Sequence, residues 1–258
     1  AFGSSLDQVG PFARSVEDAA GVMDAICGHD ELDCTSQQVK ADFRAACKQD
    51  VAGMRVGLVK EFMEDEGLLP EVKARVEEAA AKLEAAGAEL VEVELPHIDA
   101  AISAYYVLGP CEAFSNLARF DSVRYGLCDP GHKDLGGQYE ASRAKGFGAE
   151  AKRRIMLGSY LLSSGVYEKY YYPAQQVRTL ITDDYRRAYE KCDVILAPAA
   201  PRPAFKFGEI ADPATMYLSD VFTISLNIAG NGGMSMPCGL GRETGLPIGV
   251  QLMSPQFK

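Results

Sequence analysis

The strongest constraint on this chain is a strand–helix–strand pattern in its first half. Residues 54–62, MRVGLVKEF, alternate and are rich in Val and Leu, which marks a strand. Pro70 then opens EVKARVEEAAAKLEAAGAEL, where Val72, Val76, Ala79, Ala80 and Leu83 form one apolar helical face and Gly87 ends the helix. ELVEVEL (89–95) is a second strand. Two strands joined by a helix pair in parallel, because a parallel return needs a crossover of about this length. The pattern predicts an α/β architecture.

The remaining segments fit around that unit. Ser15 caps a helix over VEDAAGVMDAIC, with Asp18 as a weaker form of the capping box and Gly28 as its stop. Residues 28–50 read as loop with short helical turns. Residues 100–120 read as a helix interrupted near Gly109–Pro110, and the glycine-bearing stretch 121–148 as a long loop. Residues 149–191 are helical, with a break near Ser163–Gly165. VILAPAAPRPAF (194–205) is a strand running into a Pro-rich turn, and GMSMPCG and PIGVQLM are short strands about a GRETG turn. No repeat or low-complexity tract interrupts them. The whole predicts a mixed sheet flanked by helices, one compact unit over residues 1–258. Both ends, SSLDQVGPF at the start and PIGVQLMSPQFK at the finish, read as cut from something longer.

Charge and cysteine usage narrow the function. With 26 basic and 36 acidic residues the 258-residue chain carries a net charge of −10, which disfavours direct grip on a phosphate backbone. No stretch approaches ~18 uninterrupted apolar residues, so no membrane-spanning helix is expected. The seven cysteines lack CxxC spacing and the three histidines are far apart, so no structural zinc site is expected. Free thiols point to a reducing, cytoplasmic setting. Generic catalytic motifs are missing: no GxSxG elbow, HExxH, P-loop or calcium loop occurs. Gly146, Gly148 and Ala151 formally fit GxGxxA, but the preceding EASRAKGF is polar rather than a strand, so a nucleotide loop is rejected.

Several segments together resemble the amidase signature family, most closely its branch of tRNA-dependent amidotransferase A subunits. They are SSLDQVGPFARSVEDAA (4–20), EAFSNLARFDSVRYG (112–126), GFGAEAKRRIMLGSYLLSSGVYEKYY (146–171), QQVRTLITDDY (175–185), DVILAPAAP (193–201), DPATMYLSDVFTISLNIAG (212–230) and GLPIGVQLM (245–253). SNLARFDSVRYG and KRRIMLGSY mark the tRNA branch. The resemblance implies a partial amidase-signature fold and a Ser–cis-Ser–Lys triad in a Gly/Ser-rich segment, with backbone N–H groups as the oxyanion hole. No such segment occurs in these residues, and in the family's order it lies upstream of residue 1. Ser4–Ser5 and Ser163–Ser164 do not align with it. No catalytic residue is therefore expected here, and the chain alone is expected to be inactive.

What the resemblance assigns to this chain is the glutamine pocket. The family's arginine for the α-carboxylate falls on Arg154, its aspartate for the α-ammonium on Asp220, and a pocket tyrosine on Tyr105, with Tyr106 next. Taken alone, Arg153 and Arg154 read as solvated helix charges, Asp220 as the cap of a helix starting at Val221, and Tyr105–Tyr106 as core packing. AGNGGMSMP (229–237) reads as a tight turn into a strand, and SLDQVGP (5–11) as a segment packed beside the nucleophile. No cofactor or metal is expected in this chain. ATP and magnesium belong, by the resemblance, to a partner B subunit that also holds the tRNA, and a small C subunit wraps the family's A chain. Self-association through an exposed sheet edge is a further expectation. The alternatives are a stand-alone hydrolase of another carboxamide and a non-catalytic α/β binding protein.

Overall fold

The computed structural model describes residues 2–210 and 212–258. Two helices come first, α1 (Val16–Ile26) and the single turn α2 (Phe43–Ala46). Ser15 caps α1 as expected, its side chain accepting from the Asp18 N–H at 3.1 Å. Strand β1 (Arg55–Val59) is shorter than its apolar pattern, because residues 60–63 turn into α3 (Lys60–Met63). That turn points Phe62 into the core and lets the Glu61 carboxylate accept the Leu95 N–H at 3.0 Å.

Helix α4 (Pro70–Ala85) starts on Pro70, where a missing N–H costs nothing, and stops at Gly87, whose φ of +96° few side chains tolerate. It leads to β2 (Glu89–Val93), which pairs with β1 in parallel, Arg55 opposite Glu89 through Val59 opposite Val93. Strand β3 (Val194–Pro198) lies parallel on the other side of β1. Strands β4 (Gly232–Leu240) and β5 (Pro247–Ser254) form the hairpin predicted around GRETG, and β5 runs antiparallel to β3. Among the described residues the result is a mixed five-stranded sheet in the order β2-β1-β3-β5-β4, with β4 at its edge.

Two helical expectations need correction. Helix α5 (Ala101–Leu117) runs through Pro110 without a break. The proline removes one backbone hydrogen bond, yet residues 108–111 are all buried, and that packing outweighs the loss. The glycine-bearing stretch 121–148 is not all loop, for it holds α6 (Leu135–Gly146). Asp134 caps α6 by accepting the Gly137 N–H at 2.7 Å, and Arg143 ties it to the end of α5 through the Leu117 carbonyl at 2.7 Å. Helices α7 (Ala149–Leu161) and α8 (Tyr167–Lys191) follow with the predicted break between them. Gly146 therefore ends one helix and Gly148 precedes the next, with no strand before them.

The core lies between the sheet and α5, α8 and the short helix α10 (Ile224–Ala229), which follows α9 (Pro213–Tyr217) in the chain. Leu108, Ile181, Tyr185, Ile195, Phe222 and Met253 are sealed from solvent there. Phe222 meets Phe62 edge to face at 5.3 Å. Among the described residues no helix is long and apolar enough to cross a membrane, and no cysteine is paired.

Candidate functional site

The site is built where α7 crosses α5, and a missing side chain sets the distance. A Cβ on Gly158 would collide with the Pro110 carbonyl oxygen and lie 2.7 Å from the Phe114 Cβ, so only glycine permits this approach. Arg154 precedes Gly158 by one helical turn, and Tyr106 precedes Pro110 by one turn. Residues four apart share a helix face, so the close crossing carries Arg154 onto Tyr106. The guanidinium stands 5.8 Å from the Tyr106 ring and 5.6 Å from the Phe2 ring, both within cation–π range. Arg154 Nε donates to Glu150 at 2.9 Å. Arg153 differs. It is well exposed and pairs only with Glu150.

Asp220 comes from the other side, at the end of a 3-10 turn (Leu218–Asp220) following α9. It does not cap a helix, since its side chain takes no backbone N–H and α10 begins only at Ile224, preceded by an uncapped Thr223. Its carboxylate is instead near enough to Tyr106 and Arg154 for both to act on its titration. Partial burial raises its pKa, and the Tyr106 hydroxyl and the nearby Arg154 charge pull the other way. Tyr106 is pushed the same direction, first by burial and then by the Asp220 charge. Arg154 stays charged, with Glu150 and Tyr105 offsetting its burial. Tyr106 also packs edge-on to Tyr105 at 5.0 Å and stacks on Tyr217 at 4.1 Å.

A cavity of about 350 Å³ opens beside this cluster, lined by Phe2, Leu6, Tyr105, Asp220, Thr223 and Asn227 among others. Asp220 and Tyr105 face it. Arg154 does not line it and stands next to it, over the rings of Phe2 and Tyr106. The cavity floor is the segment 2–8, held by distant residues. Asn116 donates to the Phe2 carbonyl at 3.2 Å, and Asn227 donates to the Leu6 carbonyl at 2.7 Å. Glu112 accepts the Ser5 N–H and hydroxyl, and Arg178 donates to the Ser5 carbonyl and, at 2.9 Å, to the Ile228 carbonyl.

Nothing in the cluster is a ready nucleophile. His97 and His132 pair with Asp184 and Asp129 away from it. The thiols of Cys111 and Cys192 are pushed up to about 11 by burial, which suppresses the thiolate. No metal-holding group of His, Cys, Asp and Glu occurs among the described residues. The arrangement offers one fixed cation, one fixed carboxylate and tyrosine walls, which suits recognition of a small zwitterion. Sequence reasoning missed Glu150, Tyr217 and Gly158. The i,i+4 spacing of Glu150 and Arg154 was a readable signal; the other two depend on tertiary placement.

Across residues 1–258 the chain matches the sequence model of the amidase family, and it belongs to that family. It is 52% identical to the A subunit of glutamyl-tRNA(Gln) amidotransferase from Desulfatibacillum aliphaticivorans over 260 residues, all of this chain and 53% of that protein. The crystal structure of the Thermotoga maritima counterpart, the A subunit of the same amidotransferase, superimposes with a TM-score of 0.77 at 39% identity, covering 100% of this chain and 51% of that one. A bacterial aryl acylamidase shares the fold alone, with a TM-score of 0.71 at 22% identity. The chain thus spans about half the length of the curated relatives it matches.

Proposed function

We propose that this chain forms the glutamine-binding part of the glutaminase subunit of a tRNA-dependent amidotransferase. That complex hydrolyses glutamine and passes the ammonia to Glu-tRNA(Gln) or Asp-tRNA(Asn), a carbon–nitrogen ligation. The observation that carries the reading is the meeting of Arg154 and Asp220 around Tyr105 and Tyr106, four residues from three separate elements. A guanidinium meets a carboxylate with two parallel hydrogen bonds, and a carboxylate holds an ammonium. Arg154 takes the α-carboxylate of glutamine, Asp220 its α-ammonium, and Tyr105 the wall. The nucleophile and its lysine base come from a Gly/Ser-rich segment that these residues lack, so the chain by itself releases no ammonia.

The proposed partners follow the relatives. A B subunit supplies ATP and magnesium chemistry and the tRNA contact, consistent with the net charge of −10 here, and a C subunit completes a cytoplasmic complex. The test uses the complete subunit in its complex. Arg154→Lys and Asp220→Asn should each weaken glutamine use about a hundredfold, since unpairing a desolvated charge costs ~2–5 kcal/mol. Free ammonia as nitrogen donor should be spared. Equal loss with both donors, or faster turnover of an uncharged carboxamide, refutes the glutamine reading. Ammonia release from glutamine by the 258-residue chain alone refutes its dependence on an outside nucleophile.

A further inference from the structure

The turn that carries Asp220 has open space on both of its faces. Asp220, Thr223 and Ile224 line the cavity of about 350 Å³, while Leu218, Ser219 and Val221 line a second cavity of about 580 Å³. The Asp220 carbonyl is held from within the turn, by the Thr223 N–H at 3.0 Å and the Thr223 hydroxyl at 3.2 Å. Bonds of that range move with the turn and do not fix it to the sheet. The fixed point comes at Phe222. Its ring is sealed against Phe62 at 5.3 Å, and its carbonyl accepts from the Gln251 side-chain amide at 2.5 Å. The same nitrogen donates to the Pro198 carbonyl, at the end of β3, at 2.9 Å. Both acceptors are carbonyl oxygens, so the amide nitrogen has to face them, and its two N–H groups serve one each. Gln251 is only 4% exposed and lies on β5, opposite Ala197 of β3 on one side and Ser235 of β4 on the other. Burying an amide in a sheet is unfavourable unless its hydrogen bonds are made. Here they join two paired strands to the turn beside the pocket.

We infer that Gln251 is a positioning residue: it ties the 218–223 turn to the sheet and so sets where the Asp220 carboxylate stands in the pocket. It lines neither cavity and acts only through the turn. Asp220 lies two residues before Phe222, so a turn released at the Phe222 carbonyl can shift its carboxylate toward either open face. A held turn keeps the carboxylate in place before an ammonium arrives, which lowers the ordering that binding must bring about.

The inference rests on the amino-acid pocket proposed above, and the test separates the two. In the complete subunit within its complex, Gln251→Met keeps the length of the side chain and removes both donors. Gln251→Asn keeps the amide on a stem one methylene shorter, which cannot span the two carbonyls. Each should raise the KM for glutamine about threefold to tenfold, the range of one hydrogen bond, with kcat changed less than about twofold and ammonia use unchanged. In an Asp220→Asn background, Gln251→Met should add no further rise in KM, because the charge it positions is gone, while its effect on the melting temperature persists. The role is overturned if both variants leave the KM at its starting value while Asp220→Asn raises it. It is also overturned if the KM rise is as large in the Asp220→Asn background, or if both variants lose ammonia use as well, the signature of a merely structural residue. An Asp220→Asn variant with normal glutamine use overturns the pocket itself.

Discussion

The molecule has a closed side and an open side. On the faces of α5 and α8 that meet the sheet and α10 the packing is tight, and Leu108, Ile181, Tyr185 and Phe222 are sealed. From Val9 to Phe43 the picture reverses: Phe12, Val22, Ile26 and Leu32 are exposed, and of α1 only Ala20 is buried. Next to α1 a groove of about 1490 Å³ runs past residues 37–43 to Met234 and Leu252, beside the edge strand β4. The candidate pocket is about four times smaller in volume and opens at the border of the closed side, where Tyr105 and Ile224 meet the exposed Asp7, Gln8 and Asp220. Of the two charged partners, Arg154 is held against the α5–α7 crossing, while Asp220 stands on an exposed turn at its border. The open side offers apolar area and an unpaired strand edge, which suit association rather than selection.

The contrast breaks most sharply at Phe222. Phe222→Ala should cost ~3–5 kcal/mol in urea unfolding, because the ring is fully buried against Phe62 beside the Asp220 turn. A loss under ~1 kcal/mol would mean that the closed side is no better packed than the open one. Gly158→Ala should cost ~1–3 kcal/mol, since its Cβ meets a backbone oxygen that cannot swing away. Chemical denaturation reads the cost, and loss of glutamine binding in the complete subunit should accompany it as α7 is pushed off α5.

The third prediction concerns pH. Asp220 has a folded-state pKa above the usual carboxylate value of about 3.9, owing to burial, so it protonates earlier as the medium acidifies. Holding an ammonium needs the ionised form. The KM for glutamine should therefore climb on acidification, starting above the normal carboxylate range, and Asp220→Asn should flatten the profile. The sign for stability is opposite. A raised carboxyl binds its proton more tightly in the folded state, so its contribution favours folding at low pH and is lost as pH rises through the folded value. A KM that stays flat until the usual carboxylate range would place Asp220 in ordinary solvent. Smallest of all, Val22→Ser and Ile26→Ser should shift stability by no more than ~0.5 kcal/mol, both side chains being exposed. The same pair should reduce self-association in sedimentation velocity, and a strictly monomeric parent chain would remove that role from the open side.

Legibility followed the range of the forces involved. The strand–helix–strand unit could be read because its periodicity, Pro70 and Gly87 are local. Ser15 as a cap was equally local. Pro110 misled because a local penalty was outvoted by burial that only the fold supplies, and α6 was hidden because its anchor, Arg143, works against α5 rather than within its own segment. Arg154, Asp220 and Tyr105 came from family likeness; nothing in spacing or charge separates Arg154 from Arg153. The fold separates them through Gly158, which decides which face of α7 turns to α5. Tyr217 escaped notice because its stack on Tyr106 joins residues 111 positions apart.

The stitching of residues 2–8 has a consequence in time. Ser5 and Leu6 are held by Glu112, Arg178 and Asn227, so this short stretch cannot settle until more than two hundred later residues have left the ribosome. Helices such as α4 and α8 and the β4–β5 hairpin can organise from neighbours alone, whereas the cavity floor waits for contacts of the longest range. Ligand-binding competence should thus appear as the slowest phase of refolding, behind the recovery of helix signal. Such a slow phase would leave Phe2 and Leu6 exposed after the helices have formed, which pulse-labelling hydrogen exchange during refolding can test.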